Sequence, residues 1–136
     1  MIDVLATTNA ADTAVQSARV LVVDDEPALR RMLARVLETE RYEVHLAADG
    51  AEALALVAHT PFDIIVADVV MPTCDGPCLL AGLKALGSTV PVIVLTGYAD
   101  TDDAALMALG ATRVLGKPIG AAGLLRVLAE TLNASA

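Results

Sequence analysis

A chain of 136 residues is the size of one domain and can bury a continuous core without metal or disulfide staples. Its 56% hydrophobic and 2% aromatic content calls for a core of Val, Ile, Leu and Ala, as in a parallel sheet covered by helices. A formal net charge of −8 argues against non-specific binding to nucleic acid or to an anionic membrane surface. Any contact with DNA would have to come from elsewhere.

Residues 1–18 are rich in Ala, Thr, Asp and Asn without a sustained period, and are expected to form a flexible leader. From Arg19 short apolar runs alternate with helical patterns. Val20 to Val23 reads as a strand, and Pro27 opens an amphipathic helix on which Leu29, Met32, Leu33, Val36 and Leu37 make one apolar stripe. The spacing then predicts a strand over Val44 to Ala47 and a helix over Ala51 to Ala58. Phe62 to Ala67, Pro91 to Leu95 and Arg113 to Leu115 read as further strands, with helices over Cys78 to Leu86, Asp102 to Leu109 and Ala121 to Leu132. Residues 19–132 are thus one domain of five β–α units, and 133–136 a tail. The runs Ile64 to Val66 and Val92 to Leu95 are continuously apolar, as strands buried on both faces require. The expected fold class is α/β, a doubly wound parallel sheet with helices on both faces.

No apolar run approaches the roughly 20 residues of a bilayer span. The first residues lack the basic and hydrophobic regions of a signal peptide, so a cytoplasmic protein is expected. Cys74 and Cys78 are then expected to stay reduced, and two thiols alone make a poor zinc site.

In such sheets ligands bind beyond the carboxyl ends of the strands. Asp24 and Asp25 follow the first strand, Asp68 the third, Thr96 the fourth and Lys117 the fifth. A lone loop Asp is ordinarily a cap or turn former. Capping does not explain three carboxylates meeting a lysine. Such acids repel one another unless a cation offsets them, and oxygen ligands suit Mg2+, which commonly joins a carboxylate to a phosphate. The expected chemistry is phosphoryl transfer.

The segments LVVDDEP (21–27), IIVADVVMPTCDG (64–76), PVIVLTG (91–97) and GKP (116–118) resemble those of response-regulator receiver (CheY-like) domains, over about residues 19–132. The resemblance implies a flavodoxin-like five-stranded sheet of order 2-1-3-4-5 and a phosphoacceptor of two-component or phosphorelay signalling that changes a protein-binding surface. It implies Asp68 as acceptor, Asp25 as direct Mg2+ ligand, Asp24 as the acid that holds the ion partly through water, and Val70 as a backbone carbonyl ligand. Thr96 is similar to the hydroxyl that bonds the phosphoryl group, and Lys117 to the cation that pairs with it. Gly97 leaves space beside Thr96, and Pro118 fixes the following loop, with a cis peptide before it implied by the resemblance. The implied partners are a histidine kinase or histidine phosphotransfer protein and an output domain or target, with a homodimer through the fourth and fifth β–α units left open.

The pattern departs from the family at Val114, where receivers usually carry an aromatic residue. A rotating-ring readout cannot operate there, and the signal is expected to pass through the loop holding Tyr98. Val70 and Tyr98 border the expected path of hydrolytic water and neither activates it, so a persistent aspartyl phosphate is expected. His45 and His59 lack a relay context. Arg30, Arg31 and Arg35 read as a solvated face, or as one that meets an acidic partner. Met71 and Pro72 shape the loop after Asp68.

Three other functions fit less well. An aspartyl phosphohydrolase usually needs an acid two residues after the nucleophile, where Val70 stands. A flavin or nucleotide binder wants a Gly- or Ser-rich cradle, where DDEP stands. A phosphate-independent interaction domain has no need of the full acceptor set.

Overall fold

A computed structural model describes residues 18–97 and 102–135. Five strands, β1 (Arg19–Val23), β2 (Glu43–Ala47), β3 (Ile64–Asp68), β4 (Val92–Thr96) and β5 (Arg113–Gly116), alternate with α1 (Pro27–Glu38), α2 (Gly50–His59), α3 (Gly76–Ala85), α4 (Asp103–Ala108) and α5 (Ala121–Ser135). All pairings are parallel and the order is β2-β1-β3-β4-β5, the expected doubly wound sheet.

Successive side chains of a strand point to opposite faces, and the core divides accordingly. Val20, Val22, Ile64, Val66, Ile93 and Leu95 pack with Leu33 and Leu37 of α1 and Leu124, Val127 and Leu128 of α5. Leu21, Val23, Ile65, Ala67, Val92 and Val94 face the other way, onto Ala53 of α2, Leu79, Leu80 and Leu83 of α3, and Leu106 of α4. Between β1 and β3 the chain leaves toward opposite faces of the sheet. Their carboxyl ends therefore diverge and leave a crevice over Asp24, Asp25 and Asp68.

Several expected boundaries move. Ala18 is buried and its carbonyl accepts the Glu43 N–H, so it belongs to the folded body, while the rest of the expected leader, residues 1–17, lies outside the described residues. Phe62 packs in the core but precedes β3, because pairing with β1 begins at Val20 opposite Ile64. Residues 133–135 of the expected tail continue α5, since Asn133 and Ala134 present no helix breaker, while Ala136 lies outside the described residues. On α1 the buried face is Leu33, Ala34 and Leu37, whereas Met32, expected in the stripe, is 52% exposed.

The two cysteines correct the sequence reading, for they are joined by a disulfide. Thr73 takes a left-handed φ of 67° at the turn before Cys74. Cys78 then stands one helical turn further on, with the two Cα atoms 5.2 Å apart, inside the bridging range.

Candidate functional site

Six aspartates near the carboxyl ends of the strands divide into two groups. Asp49, Asp75 and Asp102 cap α2, α3 and α4, accepting from the N–H groups of Glu52, Cys78 and Ala105. Asp24, Asp25 and Asp68 cap no helix, and each offers a carboxylate oxygen within 4.8 Å of the others.

Asp24 is 2% exposed. Its backbone N–H bonds the Ala47 carbonyl of β2, and its Oδ1 accepts the Glu26 N–H at 2.9 Å. Its Oδ2 is buried without a hydrogen-bond partner, with the Lys117 ammonium 3.9 Å away. A buried carboxylate oxygen without a donor is costly unless something binds it. Burial is the main cause holding the Asp24 carboxyl above the usual carboxylate range; the Glu26 N–H opposes it, Asp68 adds to it, Lys117 opposes and Asp25 adds.

Asp68 is the last residue of β3, opposite Leu95 of β4. Its Oδ2 accepts from Lys117 Nζ at 2.9 Å, and its Oδ1 lies 3.5 Å from the Val70 N–H. Lys117 follows β5, and its N–H bonds the Thr96 carbonyl at 2.7 Å, which ties the lysine loop to the end of β4. Thr96 is 8% exposed. The peptide before Pro118 is cis. A Cβ added at Gly97 would stand 3.8 Å from Lys117 Cδ, so this glycine borders the lysine stem.

Three carboxylates against one ammonium leave two negative charges in excess. Asp24 and Asp68 alone, at such spacing, repel by roughly 3 to 4 kcal/mol at an effective dielectric of about 20. An all-oxygen set that includes an orphaned buried atom fits a hard divalent cation of the Mg2+ type.

The remaining expected residues are less central. Val70 is 61% exposed beside Asp68. Val114 is half-buried on the core face that carries α2, α3 and α4. Tyr98 lies outside the described residues. His45 bonds Glu43 at 2.8 Å and meets Phe62 edge-on, and His59 ends α2.

Sequence reasoning missed Arg30. Expected on a solvated face, it turns inward, and its Nη1 donates to the Asp24 carbonyl at 2.7 Å. The signal was available, since Arg30 lies three and four residues before the buried Leu33 and Ala34 and so shares their face of α1. Arg31 and Arg35 are exposed as expected.

Among the described residues no helix is long and apolar enough to cross a membrane. The family profile of the response regulator receiver domain matches residues 20–129. The transcriptional regulatory protein PrrA of Mycobacterium leprae is 44% identical over 108 residues, which are 79% of this chain and 46% of PrrA. The chain thus spans about half the length of that curated relative. Among solved structures, the receiver domain of the Francisella response regulator 1452 superposes with a TM-score of 0.83 at 28% identity, over 88% of this chain and 100% of that one. The receiver domain of the Pseudomonas aeruginosa sensor histidine kinase PA1611, solved with a magnesium ion coordinated in its active site cleft, gives 0.78 at 28% identity, over 86% and 98%. With its order 2-1-3-4-5 sheet and its acids gathered at the switch point, this chain belongs to the response regulator receiver domain family.

Proposed function

We propose that this domain accepts a phosphoryl group on Asp68 with the help of Mg2+, and so acts as the switch of a two-component or phosphorelay pathway. The observation that carries the reading is the 2.9 Å contact of Lys117 Nζ with Asp68 Oδ2 beside a buried oxygen of Asp24 that accepts no hydrogen bond. The magnesium ion in the cleft of the PA1611 receiver supports it.

Asp24, Asp25, Asp68 and the Val70 carbonyl would hold the ion. When bound, it neutralises charge on the transferring group's oxygens. The protein's own part is alignment. Strand β3 fixes Asp68 so that one carboxylate oxygen faces an incoming phosphorus atom in line with the leaving group. The bond from phosphorus to the donor nitrogen or oxygen breaks as the bond to Asp68 forms, and the donor leaves with the electron pair. Lys117 exchanges its contact with the carboxylate for one with the phosphoryl oxygens, and the Thr96 hydroxyl donates to another. Arg30 and the Glu26 N–H position Asp24 without touching the reacting atoms. Gly97 and Pro118 shape the chain immediately after Thr96 and Lys117.

The proposed donor is the phosphohistidine of a kinase or phosphotransfer protein. The proposed receiver of the signal is an output domain or target protein, reached from the segment after Thr96 that includes Tyr98, with Val114 taking no part as a rotating ring. Self-labelling from small phosphodonors and slow loss of the phosphoryl group are the only reactions assigned to the domain, and its site of action is the cytoplasm.

Incubation with acetyl phosphate and Mg2+, followed by intact-mass measurement, should add one phosphoryl group to the wild type and none to Asp68→Asn; equal labelling of the two would reject the assignment. Val70, exposed and apolar beside Asp68, cannot orient water, so Val70→Asn should shorten the phosphoryl lifetime. Matching decay rates would count against this role.

A further inference from the structure

We infer that Cys74 and Cys78 form a redox-operated clamp on the segment leading from Asp68 into α3, through which the thiol status of the surroundings sets how readily the domain is phosphorylated. The proposal rests on the phosphoacceptor reading of Asp68.

Residues 69–75 connect β3 to α3, and their first residues border the site. Val70, Pro72 and Thr73 are exposed, so little core packing fixes this path; Met71 and Cys74 are its buried side chains. Near Asp68 the segment is held by the Gly76 N–H bond to the Val69 carbonyl at 2.8 Å. At its far end Cys74 is 4% exposed, and its carbonyl accepts the Gly50 N–H of α2 at 2.9 Å. The disulfide adds a covalent tie from Cys74 to Cys78 in the first turn of α3. Gly50 is matched to the bridge, because a Cβ there would come within 2.7 Å of Cys74 Sγ and 2.6 Å of the Cys74 carbonyl oxygen. A crosslink four residues beyond Val70 restricts the backbone whose carbonyl is to meet the metal. Its loss restores freedom to that backbone, and each residue ordered on metal binding must then give up more entropy.

Access decides how the bond opens. Cys78 is exposed and Cys74 is not, so a thiolate of a dithiol reductant attacks Cys78 Sγ. The new bond is a mixed disulfide; the Cys74–Cys78 bond breaks and Cys74 leaves as a thiolate that takes up a proton. The reductant's second thiolate attacks its own sulfur in the mixed disulfide, releasing Cys78. Two electrons and two protons pass to the protein, and the reductant departs as a disulfide. A disulfide oxidant runs the sequence in reverse.

The test compares the full chain after treatment with dithiothreitol and after treatment with oxidised glutathione. Three quantities are read: alkylation of the two cysteines by mass, amide hydrogen exchange of residues 69–76 without metal, and the rate of Asp68 labelling from acetyl phosphate with Mg2+. The oxidised chain should resist alkylation at both positions, exchange more slowly over 69–76 and label faster, by about fivefold, the lower end of ordinary coupling between sites. Cys78→Ser, a change at an exposed position, and the double variant Cys74→Ala with Cys78→Ser should match the reduced chain under both treatments. Free alkylation after oxidant overturns the clamp. Equal exchange and equal labelling in the two states overturn the coupling alone, whereas labelling in neither state overturns the phosphoacceptor reading and the coupling with it.

Discussion

Asp24 carries an electrostatic load that its sequence position foreshadowed only in part. That it joins Asp25 and Asp68 was legible because all three stand at carboxyl ends of strands, and Asp49, Asp75 and Asp102, which begin helices, separate from them as caps. What the residue string could not show is that Asp24 Oδ2 ends up buried without a donor, since burial depends on how β2, Arg30 and Lys117 close around it. A carboxyl whose folded value lies above its unfolded one contributes stability below the unfolded value and loses it as pH rises through the folded one. In metal-free protein Asp24 therefore favours the fold in acid, and that contribution fades toward neutrality. Asp24→Asn, always neutral, should melt a few degrees above the wild type near neutral pH and show a shrinking advantage toward about pH 4. It should also lose the Mg2+-induced rise in melting temperature. An advantage independent of pH would show that the burial of charge is not its cause.

The β–α alternation was readable throughout, because buried parallel strands are continuous apolar runs and the helices start at Pro27 or directly after the capping residues Asp49, Asp75 and Asp102. Element ends were less legible. The strand limits at Arg19, Ile64 and Thr96 are set by which neighbour each residue finds across the sheet, and that partner lies many residues away in sequence. The pairing of Cys74 with Cys78 was missed for a related reason: it depends on the left-handed turn at Thr73 and on the close approach of α2 at Gly50, neither of which has a local spacing signal. Gly50→Ala should therefore cost roughly 1 to 3 kcal/mol, the range of overpacking in a filled core. Its Cβ would meet the Cys74 carbonyl oxygen at 2.6 Å, and backbone cannot rotate aside as a side chain does. A denaturant midpoint unchanged by this substitution would mean that α2 and the β3–α3 segment are not in contact.

For the molecule as a whole, the divergence of α1 and α3 to opposite faces of the sheet turns three separated acids into one cation site with Lys117 beside it. The measurement that bears most directly on this is the position of the phosphoryl label. Protein treated with acetyl phosphate, with or without Mg2+, is reduced with borohydride to convert aspartyl phosphate to homoserine and is then mapped peptide by peptide. The predicted result is conversion at residue 68 alone and only in the presence of the metal. Conversion at Asp24 or Asp25 instead, or equal conversion at Asp68 without a divalent ion, would contradict the proposed arrangement.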